Sequence, residues 1–354
     1  MLLGPGHCAG VLAPKEVSYT NMSLSFIFMM FTVPGNLLVI LAILKDPHKE
    51  VRSPFTLLIL NLAVTDLIVG SVVEPLSIYI HNREGKGLSI DMSWLSQTAY
   101  FLCCTASLLS LATLTVDRYL AIARAVWYRA NVNNKRVVYV SIFVWTLSFG
   151  FTMIFFEVGF ISYAFVFANI AILSTFIIFI FTYVQVFRVL KSQLSSLASF
   201  HDGSAGQLER AHRRSMIWEK RITKAYLIVL AVFLACYVPS CVMIYLMNMC
   251  ESCSCDLIHW FRDAQFILVT INSLINPFVY AFRLENIRRA VFTILKCMSF
   301  WKANKVSVES NVLSDVTPEE NKRTASTSTE NRFGGQNPEI SCHSPEFSEP
   351  APVH

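Results

Sequence analysis

Three cysteines fall within seven residues in CESCSCD (250–256), and a fourth, Cys8, stands far upstream. Closely spaced thiols bind zinc, act as nucleophiles or pair as disulfides. A second group is a carboxylate in apolar surroundings. Asp66 lies inside NLAVTDLIVG, while Asn36, Ser107, Asn272, Ser273 and Asn276 lie in other apolar stretches. A buried carboxylate needs a cation, a proton or several donors. Ordinary interhelical hydrogen bonds are the competing reading for the amides and hydroxyls. The third group is Asp117-Arg118-Tyr119 together with Glu219. An arginine between two acids can hold two helix ends together and release them, as a switch requires. Snorkelling to lipid headgroups is the alternative.

The chain that positions these groups has 354 residues, 54% hydrophobic and only 15% charged, with a mean hydropathy of +0.50. Soluble domains carry about 25% charged residues. Stretches such as 24–44 and 163–184 match the length and polarity of a membrane-spanning helix. Seven spans are expected, near 22–45, 54–80, 93–124, 136–157, 161–190, 219–248 and 259–281. The expected fold class is therefore an all-α, seven-transmembrane helix bundle. Residues 284–297 place Ile287, Val291, Ile294 and Leu295 at helical spacing among basic residues, which predicts a short, eighth, amphipathic helix on the membrane surface. The polar remainder, 298–354, is expected to be a disordered cytoplasmic tail. This divides the chain into an N-terminus (1–21), a helical bundle (22–283), the amphipathic helix and the tail.

Lysine and arginine set the orientation. With the N-terminus outside, only Lys15, Arg83, Lys86 and Arg262 face out, and the other 25 of 29 lie at or beyond the cytoplasmic side. The net charge of +5 thus has a membrane explanation, and no nucleic-acid partner is expected. The first 20 residues lack a basic segment followed by a continuous apolar core, so the first span is expected to direct insertion. CESCSCD then lies in an oxidising compartment, which favours disulfides. One bond within the loop and one from the loop to Cys8 are expected. A Cys253–Cys255 bond would strain so short a ring, and a four-cysteine zinc site is the alternative. Asn21-Met22-Ser23 forms a glycosylation sequon very near the first span.

The motifs GN (35–36), LAVTD (62–66), DRYLAI (117–122), Trp145, CYVP (236–239) and NPFVY (276–280) occur in order, each in a different expected span. In this the chain resembles the class A (rhodopsin-like) G-protein-coupled receptors over 22–297. The resemblance implies that Arg118 pairs with Asp117 and Glu219 at rest and meets a heterotrimeric G protein when active. Asn36, Asp66, Ser107, Asn272, Ser273 and Asn276 match the family's sodium pocket, with sodium at Asp66 as an allosteric ligand and no other cofactor. Tyr183 and Tyr280 match two tyrosines that meet on activation, while Pro239 and Pro277 kink their helices. Cys297 matches a palmitoylation position, and TASTST (324–329) resembles a receptor-kinase and arrestin site. The implied location is the plasma membrane.

The departures narrow the resemblance. Ser93 stands where most members have a bridging cysteine, Thr175 replaces a proline, and Tyr237 replaces a tryptophan. These features, with a very short second outer loop, resemble the melanocortin, cannabinoid, lysophospholipid and adenosine receptor branch. The melanocortin acidic site is not reproduced, since Leu76, Ser93 and Gln97 occupy those positions. Tyr100 stands where amine receptors carry an aspartate. Glu74, Gln97, Tyr100, Glu157, Tyr245, Trp260 and Asp263, with Gln265, are the expected ligand-pocket residues, and three carboxylates among aromatics suit a small peptide or another cationic ligand. For Asp263 a water-facing rim position is the competing expectation. A receptor with ligand-independent basal signalling, or a decoy, is the alternative function. A transporter would show internal repeats, and an enzyme would need a nucleophile with its base or paired metal ligands in the spans. Neither pattern is present in the sequence.

Overall fold

The computed structural model describes residues 8, 11–47, 51–158 and 207–314, together with 165, 166, 169, 180, 183, 184 and 187. The helices are α1 (Lys15–Lys45), α2 (Pro54–Ile68), α3 (Glu74–Gly85), α4 (Ser93–Ala123), α5 (Ala125–Asn131), α6 (Asn134–Val158), α7 (Gln207–Met249), α8 (Cys255–Arg283) and α9 (Glu285–Ser314). Six stretches among the described residues are long and apolar enough to cross a membrane: Lys15–Lys45, Pro54–Gly85, Ser93–Ala121, Asn134–Ile154, Thr223–Met249 and Cys255–Arg283. They correspond to six of the seven expected spans. The span expected over 161–190 falls mostly outside the described residues.

Local chemistry sets the helix ends. Ser53 caps α2 in a capping box with Thr56, and Pro54 opens the helix where its missing N–H costs nothing. Ser254, between two of the clustered cysteines, caps α8 by accepting from the Leu257 N–H. Asp46 closes α1 in the left-handed region at φ 40°, and its carboxylate accepts from the Val51 and Arg52 N–H groups. Between α2 and α3 lies a π turn, Val69–Val73. Pro75 follows it and cannot donate to the carbonyl four residues back, and the Glu74 N–H bonds to Val69, five residues back.

The helices approach closely where side chains permit. A Cβ on Gly35 would stand 3.0 Å from Pro277 Cγ, and one on Gly70 would stand 2.9 Å from Val33 Cγ2. The absence of side chains there lets α1 seat against α8 and the π turn. Asn61 ties three helices together: it donates to Ser110 Oγ at 2.7 Å and accepts from Trp145 Nε1 at 3.0 Å.

Three boundaries differ clearly from expectation, one of them the start of α7 at Gln207 rather than near 219. α1 begins at Lys15, directly after Pro14, rather than near 22. The added turns bury Val17, Ser18 and Asn21, so Asn21 is interior and the sequon is closed to a glycan. α9 runs to Ser314, well past 297. No glycine or proline occurs between 284 and 317, so nothing in that stretch breaks the helix. The chain divides into two compact units, Met1–Val291 and Phe292–His354. Within the second, the described residues continue α9.

Candidate functional site

The N-terminal end of the bundle, called outer after the expected topology, is held by two disulfides, Cys8–Cys255 with Cα atoms 5.4 Å apart and Cys250–Cys253 at 5.5 Å. This is the expected arrangement of one loop bond and one bond to the N-terminus. The sulfurs are consumed in pairs, which removes the zinc alternative. The strap is fixed again where His259 Nε2 lies 3.1 Å from the Val11 carbonyl.

Beneath the strap lies a buried polar cluster. Arg262 donates to both Glu84 oxygens at 2.9 Å and, through Nε, to Asp263 Oδ1 at 2.6 Å. Ser18 donates to Glu84 at 3.2 Å. His81 Nδ1 lies 2.8 Å from the Ser77 carbonyl, and its Nε2 lies 3.0 Å from Asn21 Nδ2 and 3.5 Å from Asp263 Oδ1. Arg262 and Asp263 are only 4% and 3% exposed. Arg262 was expected to face out, and a water-facing rim was the competing expectation for Asp263. Burial is tolerated because each charge has a partner on a neighbouring helix or beside it.

The cluster borders a cavity of about 50 Å³ lined by Asn21, His81, Gln97, Tyr100, Asp263 and Phe266, among others. Gln97, Tyr100 and Asp263 thus share one cavity as expected, and Gln265 donates to the Tyr100 hydroxyl. Other expected pocket residues do not join them. Trp260 is 45% exposed and lies off the cavity. Tyr245 bonds Asn169 and packs its ring on Phe165. Glu74 is buried beside Ser25 and Thr270, with Oε2 unpartnered. The Glu157 side chain lies outside the described residues. Glu74 and Asp263, the two of the three carboxylates whose side chains are described, therefore do not share the cavity. His81, Glu84 and Arg262 were missed because each stands near a span end, where charge reads as solvated.

In the middle of the bundle, Asn276 donates to Asp66 Oδ2 at 2.8 Å, and Ser273 faces the same carboxyl. Asn36 donates to the Thr32 and Ser273 carbonyls at 3.0 and 3.2 Å. Four buried oxygens have no hydrogen-bond partner: Asp66 Oδ1, Asn36 Oδ1, Asn272 Oδ1 and Asn276 Oδ1. Unpartnered carboxylate and amide oxygens are the kind of ligand a hard cation takes. Ser107 is buried on α4 and makes no hydrogen bond to Asp66 among the described residues. Tyr237 stacks on Phe233 with ring centres 4.0 Å apart. Pro239 and Pro277 lie inside α7 and α8.

At the inner end, Arg118 donates to Asp117 Oδ2 through Nε at 2.9 Å and a terminal nitrogen at 2.5 Å. Tyr128 on α5 donates to Asp117 Oδ1 at 2.6 Å. The guanidinium lies 4.3 Å from the Phe55 ring centre, and Arg118 is only 2% exposed. Tyr119, next in sequence, is exposed. Tyr226 donates to Thr115 at 2.9 Å and, with Phe55 and Leu114, borders a small cavity beside Tyr280. Tyr280 is buried and its hydroxyl has no partner. Tyr183 is exposed and stacks on Phe187, so the two tyrosines are apart. Glu219 stands on α7 with its side chain outside the described residues. Cys297 lies on α9.

The described residues thus form a helix bundle with a cavity at one end, a buried carboxylate in its middle and a buried Asp117–Arg118 pair at the other end. The chain belongs to the rhodopsin family of seven-transmembrane receptors, whose family model matches residues 35–160 and 157–280. It is accordingly a multi-pass membrane receptor of the G-protein-coupled class and not an enzyme. It is 26% identical to melanocortin receptor 5 of Pan troglodytes over 276 residues, covering 75% of this chain and 81% of that receptor. It is 25% identical to human lysophosphatidic acid receptor 3 over 289 residues, 77% of each chain. Similarity to the alpha-1A adrenergic receptor of Oryzias latipes reaches 34% over 151 residues, 41% of this chain and 31% of that receptor.

Proposed function

We propose that the protein receives an extracellular ligand in its outer bundle, with the N-terminus outside, and activates a heterotrimeric G protein through Arg118. The observation that carries this reading is the latch. Arg118 is buried against Asp117 while Tyr128 holds the other Asp117 oxygen, which suits a latch that opens on activation. Release of Arg118 would leave its guanidinium for the partner, and the unpartnered Tyr280 hydroxyl nearby has a bond still to make. Asp66, Asn36, Asn272 and Asn276 would hold sodium, with Ser273 beside them, and the ion would supply the charge that their donor-free oxygens lack. The cluster at 324–329, outside the described residues, would serve receptor kinases and arrestin.

Second-messenger output from the full chain in cells tests this reading. Arg118→Ala should abolish the output, basal or evoked, at equal surface expression. Unchanged output would overturn coupling through Arg118. The small outer cavity favours a second reading, ligand-independent basal signalling, which the same experiment separates: output without added ligand that Arg118→Ala removes.

A further inference from the structure

His81 sits on α3 where it meets α1 and α8, and its two ring nitrogens have different surroundings. Nδ1 lies 2.8 Å from the Ser77 carbonyl. A carbonyl only accepts, so Nδ1 carries a hydrogen whatever the charge of the ring. Nε2 is the nitrogen that gains or loses one, and it faces two partners of opposite kind. The Asn21 amide nitrogen on α1, a donor, lies 3.0 Å away. Asp263 Oδ1 on α8, an acceptor, lies 3.5 Å away.

One nitrogen cannot serve both at once. Without a hydrogen, Nε2 accepts from the Asn21 N–H and has nothing to give Asp263. With one, it donates to Asp263 and has no lone pair for Asn21. Each state finds its partners in the site. Asp263 Oδ1 takes one bond from Arg262 Nε and has a lone pair over, while Asp263 Oδ2 has no partner. Asn21 Oδ1 is also unpartnered, so a half-turn of that amide replaces its donor with an acceptor. The ring lines the outer cavity, where water-sized groups fit and can deliver a proton. The titratable and charged groups around it are Glu74 and Glu84 on its own helix, Tyr100 on α4, and His259, Arg262 and Asp263 on α8. The α1 face offers only the uncharged Ser18 and Asn21.

We propose that His81 Nε2 is a proton-binding site, and that proton uptake exchanges its bond from the Asn21 N–H for an ion pair with Asp263. The proton comes from water in the cavity, and no covalent bond breaks except the one that releases it. The exchange ties α3 to α8 more firmly in the arrangement whose inner latch is closed. External acid is thus a second input that holds the receptor at rest. The site stands apart from the proposed signalling, and only this last consequence rests on it.

The test is nuclear magnetic resonance of the purified full-length receptor with nitrogen-labelled histidine rings. The ring signal that His81→Gln removes should pass from neutral to cationic between about pH 8 and about pH 5. Asn21→Asp, equal in shape but an acceptor in place of a donor, should move that change to higher pH by about one unit or more. Asp263→Asn should move it to lower pH. If His81→Gln or Asp263→Asn does not fold, Asn21→Asp decides by displacing one histidine signal upward. A His81 ring that keeps one charge across the range, or a change that no folded variant displaces, would overturn the proposal. In cells, Arg118-dependent output should fall on external acidification, and His81→Gln should remove that fall. A titrating ring with output indifferent to pH would overturn the regulatory consequence. The absence of any Arg118-dependent output would sink the signalling reading and leave the proton site standing.

Discussion

Arg262 grips Glu84 through two bonds of 2.9 Å, one to each carboxylate oxygen, across a sequence separation of 178 residues. The pair joins α8 to α3 at the closed outer end, with both side chains 5% exposed. Breaking one partner of a buried pair costs about 3–5 kcal/mol, because the other is left charged and alone. Glu84→Gln and Arg262→Met should each lower the unfolding temperature of the solubilised receptor strongly. The double variant should lose less than the two losses added together. Strict additivity in that thermal-unfolding cycle would show that the two side chains do not support each other.

Tyr128 is the inner counterpart. Its hydroxyl donates 2.6 Å to Asp117 Oδ1, while Arg118 holds Oδ2. Tyr128→Phe keeps the ring and removes one bond to a charged acceptor, a change of about 1.5–3 kcal/mol if the bond is wholly lost on opening. Part of that difference shifts the resting equilibrium, and about 1.4 kcal/mol is tenfold in population. Basal second-messenger output should therefore rise several-fold at matched surface expression. Adding Arg118→Ala should silence it. Output equal to wild type would place Tyr128 outside the latch.

Much of this was legible in the sequence, and the losses follow a pattern. Apolar length gave the spans, because a bilayer punishes unpaired polar backbone and charge so heavily. The disulfide pattern followed from compartment and ring size, and Asp66 with Asn276 followed from the expense of a lone buried carboxylate. Asp263 and Arg262 were less legible. Near a span end, charge is compatible with solvent, and only packing decides. Here α1 starts seven residues earlier than its apolar run suggests, and its first turns bring Ser18 and Asn21 over Glu84 and His81. Glu74 points away from the cavity for a related reason: a π turn precedes it and shifts the face that later residues present. Periodicity of apolar residues carries no signal for such an insertion.

The mid-bundle oxygens make a separate prediction. Asp66 Oδ1 and three amide oxygens lack donors, so a cation that binds only the folded state should stabilise it by mass action. Replacing choline chloride with sodium chloride at constant ionic strength should raise the unfolding temperature of the wild type. Asp66→Asn should abolish that rise, since it removes the only carboxylate in the set. A sodium increment that persists in Asp66→Asn would assign the effect to another site.

The two disulfides should differ sharply in their worth. Cys8–Cys255 closes a sequence separation of 247 residues, whereas Cys250–Cys253 closes one of 3. In the chain-entropy account, stabilisation grows with the logarithm of the loop closed. The long bridge also seats Val11 against His259 and keeps the first turns of α1 over the polar cluster. Cys8→Ser should therefore cost about 2–4 kcal/mol, expose the chain before Lys15 to protease, and weaken the Ser18 and Asn21 contacts. Cys250→Ser should change the unfolding temperature much less. Reductant should reproduce the Cys8→Ser loss in the wild type and add little to that variant. If reductant leaves the wild-type unfolding temperature and proteolysis unchanged, the strap is not what holds α1 over the cluster, and the Glu84–Arg262 pair would have to hold that end alone.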